Sequence, residues 1–241
     1  MRSFERTMPE EVNRVLSDHL SALLLCSSAT AAKNARAESV DGRVEVVGDV
    51  MVDVALRWAR AAREDLGALE AFDVEPDAYL LLTAHRAGNV DNPARLDMLV
   101  KLVRTLPVPI IFPLHPRTRA RLQEAGLLEE LEAMDGVQLT EPLGYVEFGA
   151  LLHHARAVVT DSGGVQKEAY LASVPCVTLR VSTEWVETVE AGWNTLVDLD
   201  PPMALAALHR PTPAEHPQLY GDGHAAERCV QAIDSLLGPA T

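Results

Sequence analysis

The chain has 241 residues, of which 48% are hydrophobic and 23% are charged, values that suit a globular protein with a sizeable core. Thirty-five Asp and Glu residues face 21 Lys and Arg residues, so the formal net charge is −14. A surface this acidic repels nucleic acid and anionic lipid, which argues against nucleic acid or a membrane as a general partner. It also repels nucleotides, so an anionic ligand needs a local site that overcomes the overall field.

The cysteines and the absence of long apolar runs predict a reduced, cytoplasmic protein. Cys26, Cys176 and Cys229 form no CxxC pair and no zinc-type spacing with histidine. Cys26 and Cys176 lie in apolar runs, where a free thiol is typically a small core residue. No apolar run approaches the length of about 18 residues that a membrane span requires, and no signal-peptide pattern is present.

Short apolar runs alternate with amphipathic stretches along the chain. In chain order, strands are predicted at 22–26, 44–47, 79–84, 108–112, 136–139, 157–160, 175–179 and 195–197. Helices are predicted at 10–19, 50–63, 93–106, 118–134, 146–153, 165–172, 203–208 and 223–237. The proline-rich stretch 198–217 is predicted to loop over the surface. Because the strands are rich in Val, Ile and Leu and lack a polar face, we expect helices on both sides of a doubly wound, parallel α/β sheet.

Polar residues follow three of the predicted strands. The strings are TAHR at 83–86, LHPR at 114–117 and TDSGG at 160–164. Sheets of this kind bind ligands at the carboxyl ends of their strands, where loops turn into helices. The coincidence of chemistry and position predicts a site at that edge.

The string TDSGG has the composition of an anion-binding turn. Gly163 and Gly164 remove side chains and let an anion approach the first N–H groups of the next helix, and Ser162 adds a hydroxyl donor. The alternative is a tight strand-to-helix turn in which Ser162 is only an N-cap. Glu168 lies about 6 Å further along the helix, where a carboxylate can accept two ribose hydroxyls. A solvated glutamate on the helix face is the alternative there.

His85 and Arg86 place a cation after the most hydrophobic strand. Such a group can neutralise diphosphate charge and assist the departure of a phosphate leaving group. His115 and Arg117 repeat the arrangement one strand later. Helix capping is the alternative for each histidine, but two such pairs in one acidic chain favour function.

The segment TMPEE at 7–11 has two interpretations. Read locally, Thr7 and Glu10 form a capping box with Pro9 in the first helical turn, and periodicity alone favours that structural role. The remaining histidines have no partner visible in the sequence and are predicted to be structural or exposed: His19, His153, His154, His209, His216 and His224.

Taken together, these strings resemble the non-hydrolysing bacterial and archaeal UDP-N-acetylglucosamine 2-epimerases. The matching segments are Arg2-Ser3-Phe4, MPEEVNR at 8–14, VGDVMVD at 47–53, LTAHRAGNVDNPARL at 82–96, FPLHPRTR at 112–119, EPLGY at 141–145, TDSGGVQKEA at 160–169, TEWVETVEAGWN at 183–194 and YGDG at 220–223. TDSGGxQxEA and PEExNR are the most specific. The common order and spacing identify the chain as similar to this family from its first residues to its last helix.

The resemblance implies a GT-B-like fold, in which two doubly wound domains hold a UDP-sugar between them. It divides the chain into a remnant of the N-terminal Rossmann-like domain at 1–47, a UDP-binding Rossmann-like domain at 48–220 and a crossover helix at 221–241. The implied reaction interconverts UDP-GlcNAc and UDP-ManNAc: UDP is eliminated to give a 2-acetamidoglucal and is then re-added to the opposite face. No metal or nicotinamide cofactor is implied, and family members are commonly homodimers.

The resemblance also assigns roles to single residues. It implies that Ser162, Gly163 and Gly164 hold the diphosphate, that Glu168 holds the ribose, and that His85 and Arg86 assist the departing UDP. Glu10 matches a family carboxylate implicated in proton transfer, which overturns the local preference for capping. His115 and Arg117 match a region that lines the cleft, where some members hold a second, allosteric UDP-GlcNAc.

The chain departs from the family pattern in several places. Gly88 stands where the HRxEN pattern has Glu, Val181 where RDxTEW has Asp, and Val186 where TEWPET has Pro. Family members also carry a GTRPE-type loop, an Asp and an HVEAGLRS segment before the point that corresponds to Arg2. Two alternatives therefore stay open: a catalytically impaired UDP-sugar-binding fragment, and a GT-B glycosyltransferase, which the TEWxET and PEExNR strings disfavour.

Overall fold

The structure is a computed structural model that describes residues 1–6, 8–106 and 109–238. The chain forms two compact units. The smaller unit comprises Met1–Trp58, Glu184–Glu187 and His216–Thr241, and the larger comprises Ala59–Thr183 and Thr188–Glu215. The domain boundaries predicted at residues 47 and 220 stay predictions.

The described residues contain strands and helices in alternation. The strands are β1 Leu23–Cys26, β2 Arg43–Val46, β3 Leu80–Thr83, β4 Ile110–Pro113, β5 Val137–Thr140, β6 Ala157–Thr160, β7 Cys176–Thr178 and β8 Asn194–Leu196. The helices are α1 Pro9–Leu20, α2 Ala29–Ala37, α3 Val50–Glu64, α4 Gly67–Ala71, α5 Ala87–Val90, α6 Pro93–Thr105, α7 Pro116–Glu124, α8 Leu128–Glu132, α9 Tyr145–His154, α10 Gly163–Leu171, α11 Val186–Glu190, α12 Pro201–Leu208 and α13 Ala225–Leu237. Each predicted strand is found within two residues of its predicted ends, except that the predicted start at Val108 lies outside the described residues.

The larger unit is built on a six-stranded parallel sheet with the strand order β5-β4-β3-β6-β7-β8. Alternate residues of the central strands enter two separate cores. Leu80 and Leu82 pack into one core with Phe112, whereas Tyr79 and Leu81 pack into the other. Both faces of the sheet are therefore covered by helices, which explains why these strands lack a polar face. The predicted doubly wound α/β fold is confirmed.

The helix predictions were wrong in one place and incomplete in others. The predicted helix 118–134 is two helices, α7 and α8, because Gly126 adopts a φ of +69° that ends the first of them. The short helices α4, α5 and α11 were not predicted, and neither was α2, whose alanine-rich sequence carries a weak apolar period. Its start is marked by Ser28, whose side chain accepts a hydrogen bond from the Ala31 N–H. Among the helices of the described residues, none combines the length and apolar character that a membrane crossing requires.

The smaller unit contains a two-stranded parallel sheet, in which Leu24 pairs with Val44. Leu24 and Cys26 on β1 pack against the buried alanines of α2 and form a small core. Arg2 attaches the first residues of the chain to the first two helices. Its side chain is buried and pairs with Asp18 in α1 and with Glu38 at the end of α2. These charge-assisted contacts hold the Arg2 pKa above its ordinary value.

Candidate functional site

The strand order of the larger sheet reverses between β3 and β6. The chain proceeds from β3 to β4 and β5 on one side, and from β6 to β7 and β8 on the other. Ligands of open α/β sheets bind in the crevice outside the carboxyl ends of the strands at such a switch point. Thr83 at the end of β3 pairs with Thr160 at the end of β6, so the TAHR and TDSGG strings start side by side.

Asp161 organises this edge of the sheet and was not singled out from the sequence as a site residue. Its side chain is fully buried, and its carboxylate accepts hydrogen bonds from the backbone N–H groups of His85, at 3.1 Å, and Arg86, at 3.0 Å. It accepts a third from the Asn89 side-chain amide at 3.1 Å. Asp161 therefore fixes the loop after β3 against the loop after β6. The position of Asp161 directly after a predicted buried strand is the feature of the sequence that could have indicated this role.

The Asp161 contacts continue outward through Asn89. The Asn89 amide nitrogen also donates to the Leu179 carbonyl, and its oxygen accepts from the Arg95 guanidinium at 2.8 Å. Arg95 in turn pairs with Asp198. Every hydrogen-bonding atom of the buried Asn89 amide is thus used, which gives this network one stable arrangement. Asn89 and Arg95 both lie in the matched string 82–96, where sequence reasoning passed over them.

The turn from β6 into α10 has features of both structures predicted for it, the anion-binding turn and the tight turn capped by Ser162. Ser162 is the N-cap of α10, and its hydroxyl oxygen accepts from the Val165 N–H at 3.5 Å. The Ser162 N–H donates to the Thr160 hydroxyl at 2.9 Å and is therefore not open to a ligand. Gly163 is buried, whereas Gly164 is exposed and lies in the first turn, where the helix offers no carbonyl acceptor. The open part of the predicted anion site is therefore Gly164 together with the Ser162 hydroxyl proton.

Beside this turn, the carboxyl edge of the sheet contains a cleft of about 370 Å³. Its polar lining comes from the loops after β3 and β4 and from α10, and includes His85, His115 and Glu168. Its apolar lining comes from the segment after β5 and includes Leu143, Tyr145 and Phe148. A concave site with one apolar part and a few convergent polar groups is typical of small-molecule binding.

Two histidine rings face each other in this cleft. The ring centroids of His85 and His115 are 5.5 Å apart. Burial is the main reason that the pKa of His85 lies below its ordinary value, and the Asp161 carboxylate, with its oxygen 3.8 Å from the His85 Nδ1, opposes that shift. His115 is also the N-cap of α7, the role that the sequence left as its alternative, since its Nδ1 accepts from the Arg117 N–H. Neutral His115 therefore carries its proton on Nε2.

The two predicted arginines differ in their surroundings. Arg86 is half-buried and its N–H is bonded to Asp161. The Arg117 guanidinium pairs with Asp91, which also accepts from Arg121, and Arg117 is not among the residues that line the cleft. A ligand that used Arg117 would have to compete with Asp91.

Glu168 lies in the second turn of α10 and lines the cleft. Its predicted contact with a ribose stays a prediction. Burial holds the pKa of its carboxyl above the ordinary value, and Lys167 opposes that shift. The same carboxylate contributes to raising the pKa of Tyr145, after burial. A partly buried carboxylate without a strong cationic partner gains from accepting hydroxyl hydrogen bonds.

In the smaller unit, the paired carboxylates at the start of α1 have separate environments. Glu11 is buried, and its oxygens accept from the Ser3 N–H and hydroxyl, the Phe4 N–H and the Arg14 guanidinium. Glu10 is exposed in the first turn of the helix. The N-cap of α1 is Met8, without a side-chain bond, and the predicted partner Thr7 lies outside the described residues. Of the two, Glu10 is the carboxylate open to a ligand.

In the described part of the chain, no group of three or more His, Cys, Asp or Glu side chains is arranged to hold a metal ion.

The chain matches a family model described as UDP-N-acetylglucosamine 2-epimerase over residues 1–234. A curated relative from Methanocaldococcus jannaschii, named UDP-N-acetylglucosamine 2-epimerase, is 39% identical and aligns with 97% of this chain. A relative from Pseudomonas aeruginosa, named UDP-2,3-diacetamido-2,3-dideoxy-D-glucuronate 2-epimerase, is also 39% identical and aligns with 98% of this chain. The alignments cover 66% of each relative.

The fold is similar to that of solved structures as well. The crystal structure of the Methanocaldococcus jannaschii UDP-GlcNAc 2-epimerase in complex with UDP-GlcNAc and UDP superposes with a TM-score of 0.88 at 39% identity. The match covers 97% of this chain and 67% of that chain. The present chain thus spans about two thirds of the length of the relatives it matches, and the predicted GT-B-like fold class is confirmed.

Proposed function

Because the chain belongs to the UDP-N-acetylglucosamine 2-epimerase family, we propose that its larger unit binds a UDP-sugar at the carboxyl edge of the sheet and that the protein epimerises the sugar at C2. The observation that carries the proposal is the cleft at the strand-order switch point, where one carboxylate and two histidines converge and Val165 in the first turn of α10 also contributes to the lining. We place the nucleoside in the cleft and the diphosphate at the start of α10.

The nucleoside assignment follows from the two kinds of lining. Tyr145, Phe148 and Leu143 offer an apolar surface for the flat face of a pyrimidine. Glu168 lines the same cleft, and its carboxylate has two oxygens that can each accept one ribose hydroxyl. A diol that bonds to this carboxylate also replaces hydration that burial has removed.

The diphosphate assignment rests on the first turn of α10. Gly164 is exposed, and the partial positive charge of the helix start favours an anion there. Ser162 uses its oxygen to accept from the Val165 N–H, which leaves its hydroxyl proton available for a phosphate oxygen. Two short-range donors of this kind offset the repulsion expected from a chain of net charge −14.

The chemistry we propose is elimination of UDP and its re-addition. A base removes the proton from C2, the electrons of that C–H bond form a C1=C2 double bond, and the bond between C1 and the diphosphate oxygen breaks so that UDP leaves with its bonding electrons. In the second step an acid returns a proton to C2 on the opposite face while the diphosphate oxygen bonds to C1 again. Asp161 holds His85 in place at the carboxyl edge of the sheet, where we propose that UDP leaves. A bound diphosphate raises the pKa of His85 from its depressed value, so the protonated ring can stabilise the departing oxygen. Glu10 is proposed for proton transfer because it matches the family motif and is exposed.

The substrate we propose is UDP-GlcNAc, with UDP-ManNAc as product. Two relatives of equal identity to this chain are named for different UDP-sugars, both of them epimerised at C2. The diacetamido-glucuronate sugar is therefore the second candidate. Incubation of the purified chain with each UDP-sugar, followed by proton NMR of the anomeric signals, distinguishes them.

We expect conversion of UDP-GlcNAc to a mixture with UDP-ManNAc. Binding of UDP measured by calorimetry without conversion of either sugar would instead support a catalytically impaired, UDP-sugar-binding fragment. Transfer of the sugar to an added acceptor would support a glycosyltransferase.

We further propose a cytoplasmic homodimer, in keeping with the family resemblance and the free cysteines. Light scattering on the purified chain tests the dimer.

Substitution of Gly164 separates binding from folding. A Cβ at this position meets only the Ser162 Oγ, at 3.9 Å, so Gly164→Ala is expected to fold normally. The added methyl group stands beside the proposed phosphate position, and we expect UDP affinity to fall about tenfold or more. Gly88→Ala is the matched control, because nothing lies within 4 Å of its added Cβ. Equal UDP affinity of the two variants, measured by calorimetry, would rule out the start of α10 as the diphosphate site.

A further inference from the structure

The larger unit contains a second cavity, of about 360 Å³, at the other edge of its sheet. Its lining includes Ala157 and Cys176, the first residues of β6 and β7, and Thr195 in β8. Because the strands are parallel, this amino edge lies opposite the carboxyl edge that holds the candidate UDP-sugar cleft. The two cavities share no lining residue.

Part of the lining comes from the proline-rich segment that the sequence predicted to be a surface loop. Pro211, Thr212 and Pro213 follow α12 and line the cavity. Proline fixes the backbone φ angle, so this part of the lining is pre-organised and loses little entropy when a ligand binds. Pro213 also packs near Gly192, where an added Cβ would lie 3.3 Å from the proline ring. Pro211 and Thr212 are exposed, so this part of the segment keeps the predicted surface course, and the half-buried Pro213 is its contact with Gly192.

The formally charged side chains of this cavity are both arginines, Arg156 and Arg210. Arg156, His209 and Arg210 line it, and none of the described lining residues is acidic. The Arg210 Nη1 donates to the Thr195 hydroxyl at 3.1 Å, which holds that guanidinium at the cavity. Within the described residues, Arg156 makes no ion pair with a carboxylate. In a chain with 35 acidic and 21 basic residues, a cavity lined only by basic charges departs from the overall field.

We propose that the cavity lined by Arg156, His209 and Arg210 binds a small phosphate-bearing anion. Guanidinium groups match the geometry of phosphate oxygens and bind them with paired N–H donors. The volume of about 360 Å³ accommodates a phosphate or diphosphate group with a small organic part beside Ala207 and the prolines. Since the position is on the opposite edge of the sheet, the site is independent of the proposed UDP-sugar function.

Backbone amide NMR with inorganic pyrophosphate as the probe tests the proposal. We expect pyrophosphate to shift the amide signals of Gly192 and Thr195 along one saturable binding curve. The Gly164 amide reports separately on the candidate diphosphate site, so its behaviour does not enter this result. The absence of a saturable shift at Gly192 and Thr195 would overturn the proposal, whatever happens at Gly164.

Paired charge variants decide whether the arginines cause the binding. We expect Arg156→Gln with Arg210→Gln to weaken pyrophosphate affinity about tenfold or more at these amides, and Arg156→Lys with Arg210→Lys to recover part of it. The control pair, Arg60→Gln with Arg104→Gln, makes the same change in net charge at exposed ion pairs outside the cavity. An equal loss in the control pair would mean general electrostatic attraction and overturn the proposal. If the double variant unfolds at a lower temperature than the parent, Arg210→Gln alone, at an exposed position, is compared with Arg104→Gln alone.

Discussion

At the scale of single residues, the candidate site depends on Asp161, a side chain that is not exposed to solvent. Asp161 bonds to the backbone of the loop that carries His85 and Arg86 and to the Asn89 amide, and it is fully buried. It is a positioning residue, because all three contacts hold other groups in place. Sequence reasoning predicted the neighbouring Ser162–Gly164 turn but could not see these contacts, because the residues that Asp161 joins are more than seventy positions away.

Asp161→Asn is expected to disturb both stability and binding. The new amide group turns a donor toward N–H groups that need an acceptor, and one buried hydrogen bond or more is lost. We expect the free energy of unfolding to fall by about 2–4 kcal/mol, and UDP affinity to fall with it even at temperatures where the variant is folded. Urea unfolding and calorimetry measure the two effects. Asp97→Asn, at an exposed ion pair with Lys101, is the control, and equal behaviour of the two variants would contradict a positioning role.

Gly42 provides a second test at this scale, in the smaller unit. An added Cβ would lie 2.1 Å from the Ser21 carbonyl oxygen and 2.6 Å from the Leu24 side chain. The backbone carbonyl cannot move aside without shifting β1, so we expect Gly42→Ala to cost about 2 kcal/mol or more. Gly88→Ala should leave stability unchanged or slightly raised. Urea unfolding followed by circular dichroism checks the pair, and a Gly42→Ala protein as stable as the parent would show that the turn before β2 is not tightly packed.

At the scale of elements, the two units differ in how well their apolar faces are covered. In the larger unit both faces of the sheet belong to cores. In the smaller unit, Val46 on β2 and three residues of α1 are exposed: Val12 by 42%, Leu16 by 57% and Leu20 by 86%. The three α1 residues are four positions apart and therefore share one helix face. A contiguous exposed apolar surface favours self-association or binding of apolar probes.

Lysine substitutions on this α1 face test its exposure. Since Leu16 and Leu20 already contact water, we expect Leu16→Lys with Leu20→Lys to keep the parent stability and to reduce both self-association and binding of an apolar fluorescent dye. Leu24→Lys is the contrasting variant, because Leu24 is only 6% exposed and its charge would have to be buried. Light scattering and dye titration measure the result. Loss of stability in the double α1 variant, comparable with Leu24→Lys, would show that this face is covered in solution.

At the scale of the whole molecule, response to acid depends on histidine burial as well as on the acidic surface. His153 near the end of α9 is half-buried, and burial is the main reason that its pKa lies at about 4, below the ordinary value of 6.5, with Arg63 and His154 adding to the shift. As the pH falls, the unfolded chain takes up this proton first. The stability that neutral His153 provides is therefore fully present above pH 6.5 and is lost as the pH falls from 6.5 toward 4.

His153→Gln is expected to flatten this part of the pH profile. The glutamine stays neutral in both states, so the difference in proton uptake between pH 6.5 and 4 disappears. Thermal unfolding across that pH range measures the slope. Gln123→Ala, at an exposed position without an ionisable group on α7, should leave the slope as it is in the parent. If both variants keep the parent slope, acid sensitivity arises from carboxylates rather than from His153.

The sequence by itself determined the order of the strands, most of the longer helices, the position of the polar strings at strand ends, and the family. These are local properties, because periodicity, glycine and serine placement, and motif order are all read over a few neighbouring residues. The break at Gly126 escaped prediction because a continuous apolar period does not reveal a left-handed backbone angle.

Only the tertiary structure decided which polar groups converge. It placed Glu168 and the two histidines in one cleft, assigned the Ser162 N–H to Thr160, and separated the buried Glu11 from the exposed Glu10. It also enclosed a second cavity with Arg156 and Arg210, which are 54 positions apart by the difference of their numbers. Such contacts between residues that are distant in the sequence depend on strand pairing and on which hydrogen bonds are already satisfied. Both are set by the folded chain as a whole rather than by any segment of it.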